Sequence, residues 1–201
     1  MSASYMTIER EYGSGGTAIA RAASKRSGVP CFGREILEMV SREKGISVES
    51  IEQYEESAKT SLFYSLYAMQ EARSGQGDML EQDGRVFVAE QMTIERIADE
   101  NRRAILLGHC AAQALAGRQG VVRVFITCSD AEAKRERIMR EYDVPAERVE
   151  ATRRFYDRKR ANYFKVNTGH SWRDAENYDV TVDTANLDLD DCASMLAGLF
   201  G

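Results

Sequence analysis

The chain alternates between short apolar runs and longer amphipathic segments. The run at 104–107 is continuous, which predicts a strand buried on both faces of a sheet, and Val121–Thr127 is the clearest predicted strand in the chain. The longer segments place apolar residues three or four positions apart, as at Ile36, Leu37 and Val40, and this spacing predicts helices. Strands that alternate with helices imply right-handed crossovers and a parallel sheet. The predicted fold class is therefore α/β, a three-layer parallel sheet of about five strands with helices on both faces.

The same pattern predicts where individual elements begin and end. Helices are expected at about 17–27, 83–101 and 146–164. Ser129 is the expected N-cap of a further helix that ends near Tyr142.

Composition narrows the possible classes of function. The chain has 201 residues, 43% of them apolar, which suits one domain over 1–201. No apolar run reaches the length of a membrane span, and residues 1–5 have neither the basic start nor the apolar stretch expected of a leader segment. A net charge of −5 argues against nucleic-acid binding. Four scattered cysteines without a C-x-x-C pair fit a reduced protein. We therefore expect a cytoplasmic protein with neither a nucleic-acid nor a membrane partner; its oligomeric state is open.

The stretch MTIEREYGSGGTAIA, at 6–20, carries the clearest chemical signal. It predicts a short strand, a glycine turn and the start of a helix. Glycines let successive N–H groups face one anion, and the helix N-terminus adds partial positive charge. Against the pattern G-x-x-x-x-G-K-[ST], Gly15 and Thr17 match, but Arg10 replaces the first glycine and Gly16 the lysine. The alternative is an ordinary tight connection between a strand and a helix.

This stretch supplies the predicted phosphate-binding residues. They are Arg10, Gly13, Ser14, Gly15, Gly16 and Thr17. The Thr17 hydroxyl is also the predicted metal ligand, for Mg²⁺, although threonine is equally favoured as a capping residue. Arg10 could replace part of the missing lysine charge. Asp130, which follows the strand Val121–Thr127, is the nearest candidate for a carboxylate ligand to Mg²⁺.

A basic segment within this acidic chain, at 146–165, points to a small anionic ligand. On a helix, Asp157, Arg160 and Tyr163 lie three residues apart and share a face. The guanidinium group is suited to phosphate because its planar fork binds two oxygens. The predicted catalytic residues are Asp157, Arg158 and Arg160. The alternative is a solvated helix face with salt bridges.

Other predicted contacts to nucleotide or substrate come from several elements. They are Arg34, His109, Arg135 and Tyr163. Of Arg135 and Arg137, one is expected to face the nucleotide and the other solvent. The alternative for each arginine is solvation, and for His109 a structural role.

Four stretches in combination resemble the bacterial cytidylate kinase-like proteins, relatives of cytidylate kinase among the P-loop nucleoside monophosphate kinases. The stretches are 7–16, 105–108, 124–127 and 157–172 with 176–179. The resemblance implies a P-loop NTPase-like sheet with a substrate-binding insert over 33–85 and a lid over 143–172. It also implies transfer of the γ-phosphoryl group from ATP, with Mg²⁺, to a nucleoside monophosphate such as a pyrimidine one. Cytidylate kinase has lysine at the place of Gly16, and many relatives have arginine at that of His109.

Three hypotheses of function follow. The first is an ATP-dependent, cytidylate-like small-molecule kinase whose phosphate loop lacks its lysine. The second is a non-catalytic nucleotide or phosphate sensor, because losing the lysine removes transition-state stabilisation and leaves binding intact. The third is a protein-interaction module that keeps only the fold and uses its acidic segment at 49–56. In the first two, the partner is a nucleotide or another small phosphate acceptor.

Overall fold

The computed structural model describes residues 2–57 and 82–201. In this part of the chain, five strands form one sheet in the order β2-β3-β1-β4-β5, and all neighbouring strands are parallel. The strands are β1 (Tyr5–Arg10), β2 (Cys31–Phe32), β3 (Ala104–Leu107), β4 (Val121–Thr127) and β5 (Val180–Asp183).

Within residues 2–57 and 82–201, eight α-helices accompany the strands. They are α1 (Gly16–Ser27), α2 (Arg34–Lys44), α3 (Val48–Ser57), α4 (Gln82–Glu100), α5 (Ala111–Ala114), α6 (Ala131–Tyr142), α7 (Val149–Thr168) and α8 (Leu189–Gly198). None of these helices is both long and apolar enough to cross a bilayer.

The sheet buries apolar side chains on both faces, because successive residues of a strand point to opposite sides. On one face, Met6 of β1 packs in a cluster with Ile19 of α1 and Leu196 of α8. On the other face, Leu106 of β3 packs with Ile94 of α4. The three-layer α/β architecture predicted from the hydrophobic pattern is therefore confirmed.

The register of the parallel strands brings three connections to one edge. Tyr5 is level with Ala104 of β3 and with Val121 of β4. The carboxyl ends of β1, β3 and β4 consequently lie side by side, at the edge where parallel sheets bind ligands. The loops that leave this edge are those after Arg10, Leu107 and Thr127.

Some predicted boundaries differ from the structure. Ser129 is not the N-cap of α6; Asp130 is, because its Oδ1 accepts hydrogen bonds from the Glu132 and Ala133 N–H groups at 2.9 and 3.1 Å. The helix expected at 146–164 opens with a 3₁₀ turn, and α7 then continues to Thr168. Within the insert predicted over 33–85, residues 58–81 lie outside the described residues.

Candidate active site

The glycine turn that links β1 to α1 is fixed by its own hydrogen bonds. Gly13 and Gly15 have φ angles of 77° and 80°, which glycine adopts without steric cost. The Oγ of buried Ser14 donates to the Glu11 carbonyl at 2.8 Å and accepts from the Gly16 N–H at 3.3 Å. The turn therefore holds the N-terminus of α1 at the ligand-binding edge.

Tertiary packing also restricts this turn to glycine. A Cβ on Gly13 would lie 2.7 Å from the Ile138 side chain of α6, and a Cβ on Gly15 would lie 2.8 Å from Leu189 of α8. Real Cβ contacts are not this short, so helices on either side of the turn set its path.

The first turn of α1 is accessible beside the glycine turn. Thr17 and Ala18 are both exposed. The first N–H groups of a helix have no acceptor within the helix, which makes this terminus suitable for an anion. No cluster of three or more Asp, Glu, His or Cys side chains that could hold a metal lies within the described ranges. Metal binding by Thr17 stays a prediction.

Helix α6 directs Arg137, not Arg135, towards the glycine turn. Arg137 donates to the Thr184 hydroxyl at 2.9 Å and to the Ser14 carbonyl at 3.4 Å. Arg135 is exposed and pairs with Glu132 at 3.8 Å. The sequence pattern marked both arginines, but only the packing of α6 against the turn distinguishes them.

Helix α7 contacts the glycine turn and the end of β1 through Asp157 and Arg160. The Asp157 Oδ1 accepts from the Tyr12 N–H at 2.8 Å, and Arg160 donates to the Arg10 carbonyl at 2.9 Å. The Tyr12 ring stacks on Tyr156 with 4.6 Å between ring centroids. Burial raises the pKa of Asp157, although the hydrogen bond from Tyr12 acts in the opposite direction.

Arg158 does not share the face of α7 that carries Asp157 and Arg160. It is exposed on α7, and it does not line the pocket described below. The structure does not bring Arg158 to the turn, and its catalytic role stays a prediction.

Glu11 is a site residue that the sequence analysis missed. Its carboxylate is 7% exposed and accepts from Lys134 Nζ, Arg173 Nε and Thr127 Oγ1, each at 2.7 Å. Burial opposes ionisation, but the hydrogen bonds from Lys134, Thr127 and Arg173 outweigh it and lower the pKa of Glu11 from 4.5 to about 2. The only sign of this role in the sequence was a charged residue next to the glycines of the turn, because the partners of Glu11 are distant in sequence.

A pocket of about 220 Å³ opens beside the glycine turn, between α2, α3, α7 and the end of β3. Its cationic lining residues are Arg10, Arg34, Lys159 and Arg160. Glu9 and Glu52 also line it, and Arg34 pairs with Glu52 at 2.8 Å. Of the predicted contacts, Arg34, His109 and Tyr163 therefore meet here, together with Arg160.

The end of β3 forms an unusual turn at the base of this pocket. Gly108, His109 and Cys110 have consecutive positive φ angles of 83°, 59° and 51°. Positive φ in non-glycine residues is uncommon and often marks functional sites. The fully buried Glu90 accepts a hydrogen bond from the Tyr163 hydroxyl, and its Oε1 lies 3.8 Å from His109 Nδ1.

Solved structures share this architecture. The fold is that of the P-loop kinases. An uncharacterized protein from Eubacterium ventriosum aligns with a TM-score of 0.71 and 19% identity, over 98% of this chain and 97% of its own. TT1252 from Thermus thermophilus aligns with a TM-score of 0.51 and 14% identity over 100% of both chains. Shikimate kinase from Acinetobacter baumannii, in complex with shikimate, aligns with a TM-score of 0.50 and 14% identity, over 98% of this chain and 92% of its own.

The chain belongs to the cytidylate kinase-like family, whose model matches residues 5–186. This match confirms the family inferred from the four sequence stretches. No match among curated proteins was found.

Proposed function

We propose that the protein is an ATP-dependent phosphotransferase that acts on a small anionic acceptor. The observation that carries the proposal is a pocket lined by four cations, Arg34, Lys159, Arg160 and Arg10, the last of which ends β1 where the chain enters the glycine turn. Phosphoryl transfer requires little covalent chemistry from a protein and depends on positioning and charge neutralisation. A helix N-terminus and a cationic pocket at the same sheet edge supply both.

In this proposal ATP supplies the γ-phosphoryl group, and Mg²⁺ offsets its charge. The N–H groups of the turn and of the first turn of α1 would bind phosphate oxygens, and the Thr17 hydroxyl would hold the metal. Arg160 neutralises the phosphoryl group while the acceptor oxygen bonds to phosphorus and the bond to ADP breaks. Asp157 positions the turn through the Tyr12 N–H. Arg158 remains a proposed catalytic residue, and Arg135 remains a proposed contact to the nucleotide.

The acceptor proposed first is a nucleoside monophosphate, with pyrimidines foremost. Family membership supports it, and so does the pocket's composition. Tyr156, Tyr163 and Phe164 lie beside the cations, which pairs rings for a base with charges for a phosphate. Within a single domain over 1–201, the insert at 33–85 would bring Arg34 to this acceptor. The lid at 143–172 would bring α7 to the same acceptor.

A reducing compartment, the cytoplasm, is the proposed location. Cys31, Cys110, Cys128 and Cys192 are all free thiols in the structure.

A second candidate is a nucleotide or phosphate sensor without turnover. The observation that favours it is Glu11, which engages Lys134 and Arg173 beside the turn. Because Lys134 and Arg173 are engaged by this carboxylate, their charge is less available to stabilise a transition state. Binding would persist, and turnover would be absent.

A thermal-shift titration followed by a transfer assay separates these candidates. ATP should raise the melting temperature, more so with Mg²⁺, and one of CMP, UMP and AMP should raise it further. The same monophosphate should then accelerate ATP consumption. Stabilisation by ATP without turnover on any acceptor would support the sensor, and a flat response to every nucleotide would contradict both candidates.

Two variants of α7 connect this assay to the site. Arg160→Ala should lower turnover by roughly a hundredfold or more, because a charge at the transferred group is lost. Arg154→Ala is the matched control, since Arg154 is exposed on the same helix and pairs with Glu150. Equal activity in the two variants would exclude Arg160 from the reaction.

A further inference from the structure

The side chain of Arg10 passes directly over the glycine that replaces the phosphate-loop lysine. A Cβ placed on Gly16 would lie 2.6 Å from the Arg10 Cβ and 2.9 Å from its Cγ, with the Ile126 Cβ at 3.3 Å. No side chain fits at position 16 while Arg10 keeps this path. A lysine at 16 and the arginine at 10 therefore exclude each other.

The guanidinium end of the Arg10 side chain lies against a second glycine, Gly108. A Cβ on Gly108, at the end of β3, would lie 2.6 Å from the Arg10 Nη1. Arg10 thus extends from the end of β1, across the first residue of α1, to the end of β3. Its guanidinium group reaches the pocket that also contains Arg160. The path lies between the glycine turn and the candidate acceptor site.

The two departures from the phosphate-loop pattern are consequently coupled in space. In G-x-x-x-x-G-K-[ST] the first position is glycine and the lysine follows the second glycine. Here the first position holds the cation, Arg10, and the lysine position holds the glycine, Gly16. We infer that these positions have exchanged roles and that Arg10 is the cation that binds the transferred phosphoryl group. This inference rests on the proposed function.

The exchange changes how the charge is presented. Lysine offers a point charge on a flexible stem, whereas arginine offers a planar fork that can bind two phosphate oxygens. Arg10 is also held at its backbone, where its carbonyl accepts from Arg160 of α7 at 2.9 Å. The phosphate-binding cation is therefore linked to the lid helix, so movement of α7 affects both arginines together.

Four variants test the exchange: Arg10→Met, Arg10→Gly, Gly16→Lys and the double variant Arg10→Gly/Gly16→Lys. Binding of ATP and of inorganic tripolyphosphate is measured by calorimetry, with circular dichroism and urea unfolding to establish folding. Arg10→Met keeps the length of the stem and removes the charge, so it should weaken both ligands by tenfold or more. Arg26→Met, on the last turn of α1, is the control and should bind like the wild type.

The double variant is the decisive one. Gly16→Lys alone should be destabilised, because its side chain collides with Arg10. Removal of Arg10 should relieve that collision and restore tripolyphosphate binding to within a few-fold of wild type. If the wild type binds neither ligand, the proposed function and this inference fail together. If the wild type binds and Arg10→Met binds equally well, or if the double variant is no better than Arg10→Gly, the inference alone is overturned.

Discussion

Replacement of Glu11 by glutamine removes the charge of a carboxylate that three donors hold at 2.7 Å. The pKa of Glu11 falls from 4.5 to about 2, and its side chain is 7% exposed. At about 1.4 kcal/mol per unit, the ionised carboxylate stabilises the fold by roughly 3 kcal/mol. Lys134, which is 12% exposed, would also be left without its partner. Glu11→Gln should therefore cost roughly 3–4 kcal/mol near neutral pH.

The sign of the pH dependence follows from the lowered pKa. The folded protein binds a proton at Glu11 less readily than the unfolded chain, so this stabilisation is present above the unfolded pKa of 4.5 and is lost as pH falls towards about 2. Less than half of it should remain at about pH 3. The difference in unfolding free energy between wild type and Glu11→Gln should shrink correspondingly.

Urea unfolding from about pH 7 down to about pH 3 measures this difference. Glu132→Gln is the matched control, because Glu132 is 77% exposed and should change stability by less than about 0.5 kcal/mol. A cost for Glu11→Gln that is below about 1 kcal/mol, or that does not vary with pH, would refute the role of Glu11 as the charged anchor of the turn.

Three further predictions concern the turn and its supports. Gly15→Ala should destabilise the protein by roughly 1–3 kcal/mol more than Gly28→Ala, because both residues have positive φ but only Gly15 is closely packed; chemical unfolding of both variants checks this. Asp157→Ala should lower stability by roughly 1–3 kcal/mol because the buried Tyr12 N–H loses its acceptor, and unchanged thermal unfolding would contradict it. Trp172 is the sole tryptophan and is 2% exposed, so iodide should not quench its fluorescence until urea unfolds the chain.

The hydrophobic pattern was sufficient to predict the layers, because burial on both faces leaves continuous apolar runs such as Ala104–Leu107. It also predicted that Asp157, Arg160 and Tyr163 share a face, since helical spacing is a local property. It did not identify the cap of α6, where Ser129 and Asp130 are both suitable and only backbone geometry decides between them.

Contacts distant in sequence were beyond prediction. Glu11 meets Lys134 because the strand register brings the connections after Arg10 and Thr127 to one edge, and it meets Arg173 because the segment between α7 and β5 returns to the same place. Likewise, the substitutions at Arg10 and Gly16 looked like two separate departures from a motif, and their steric coupling is apparent only in three dimensions.

The central claim is that the glycine turn binds the phosphates of a nucleotide, and amide chemical shifts test it most directly. The backbone N–H resonances of the 15 glycines can be followed by ¹⁵N labelling of glycine alone while ATP is added. If the turn does bind the phosphates, the resonances of Gly13, Gly15 and Gly16 should move and saturate together, while those of Gly28 and Gly198 should stay in place. Unmoved turn glycines, or shifts confined to glycines elsewhere in the chain, would contradict it.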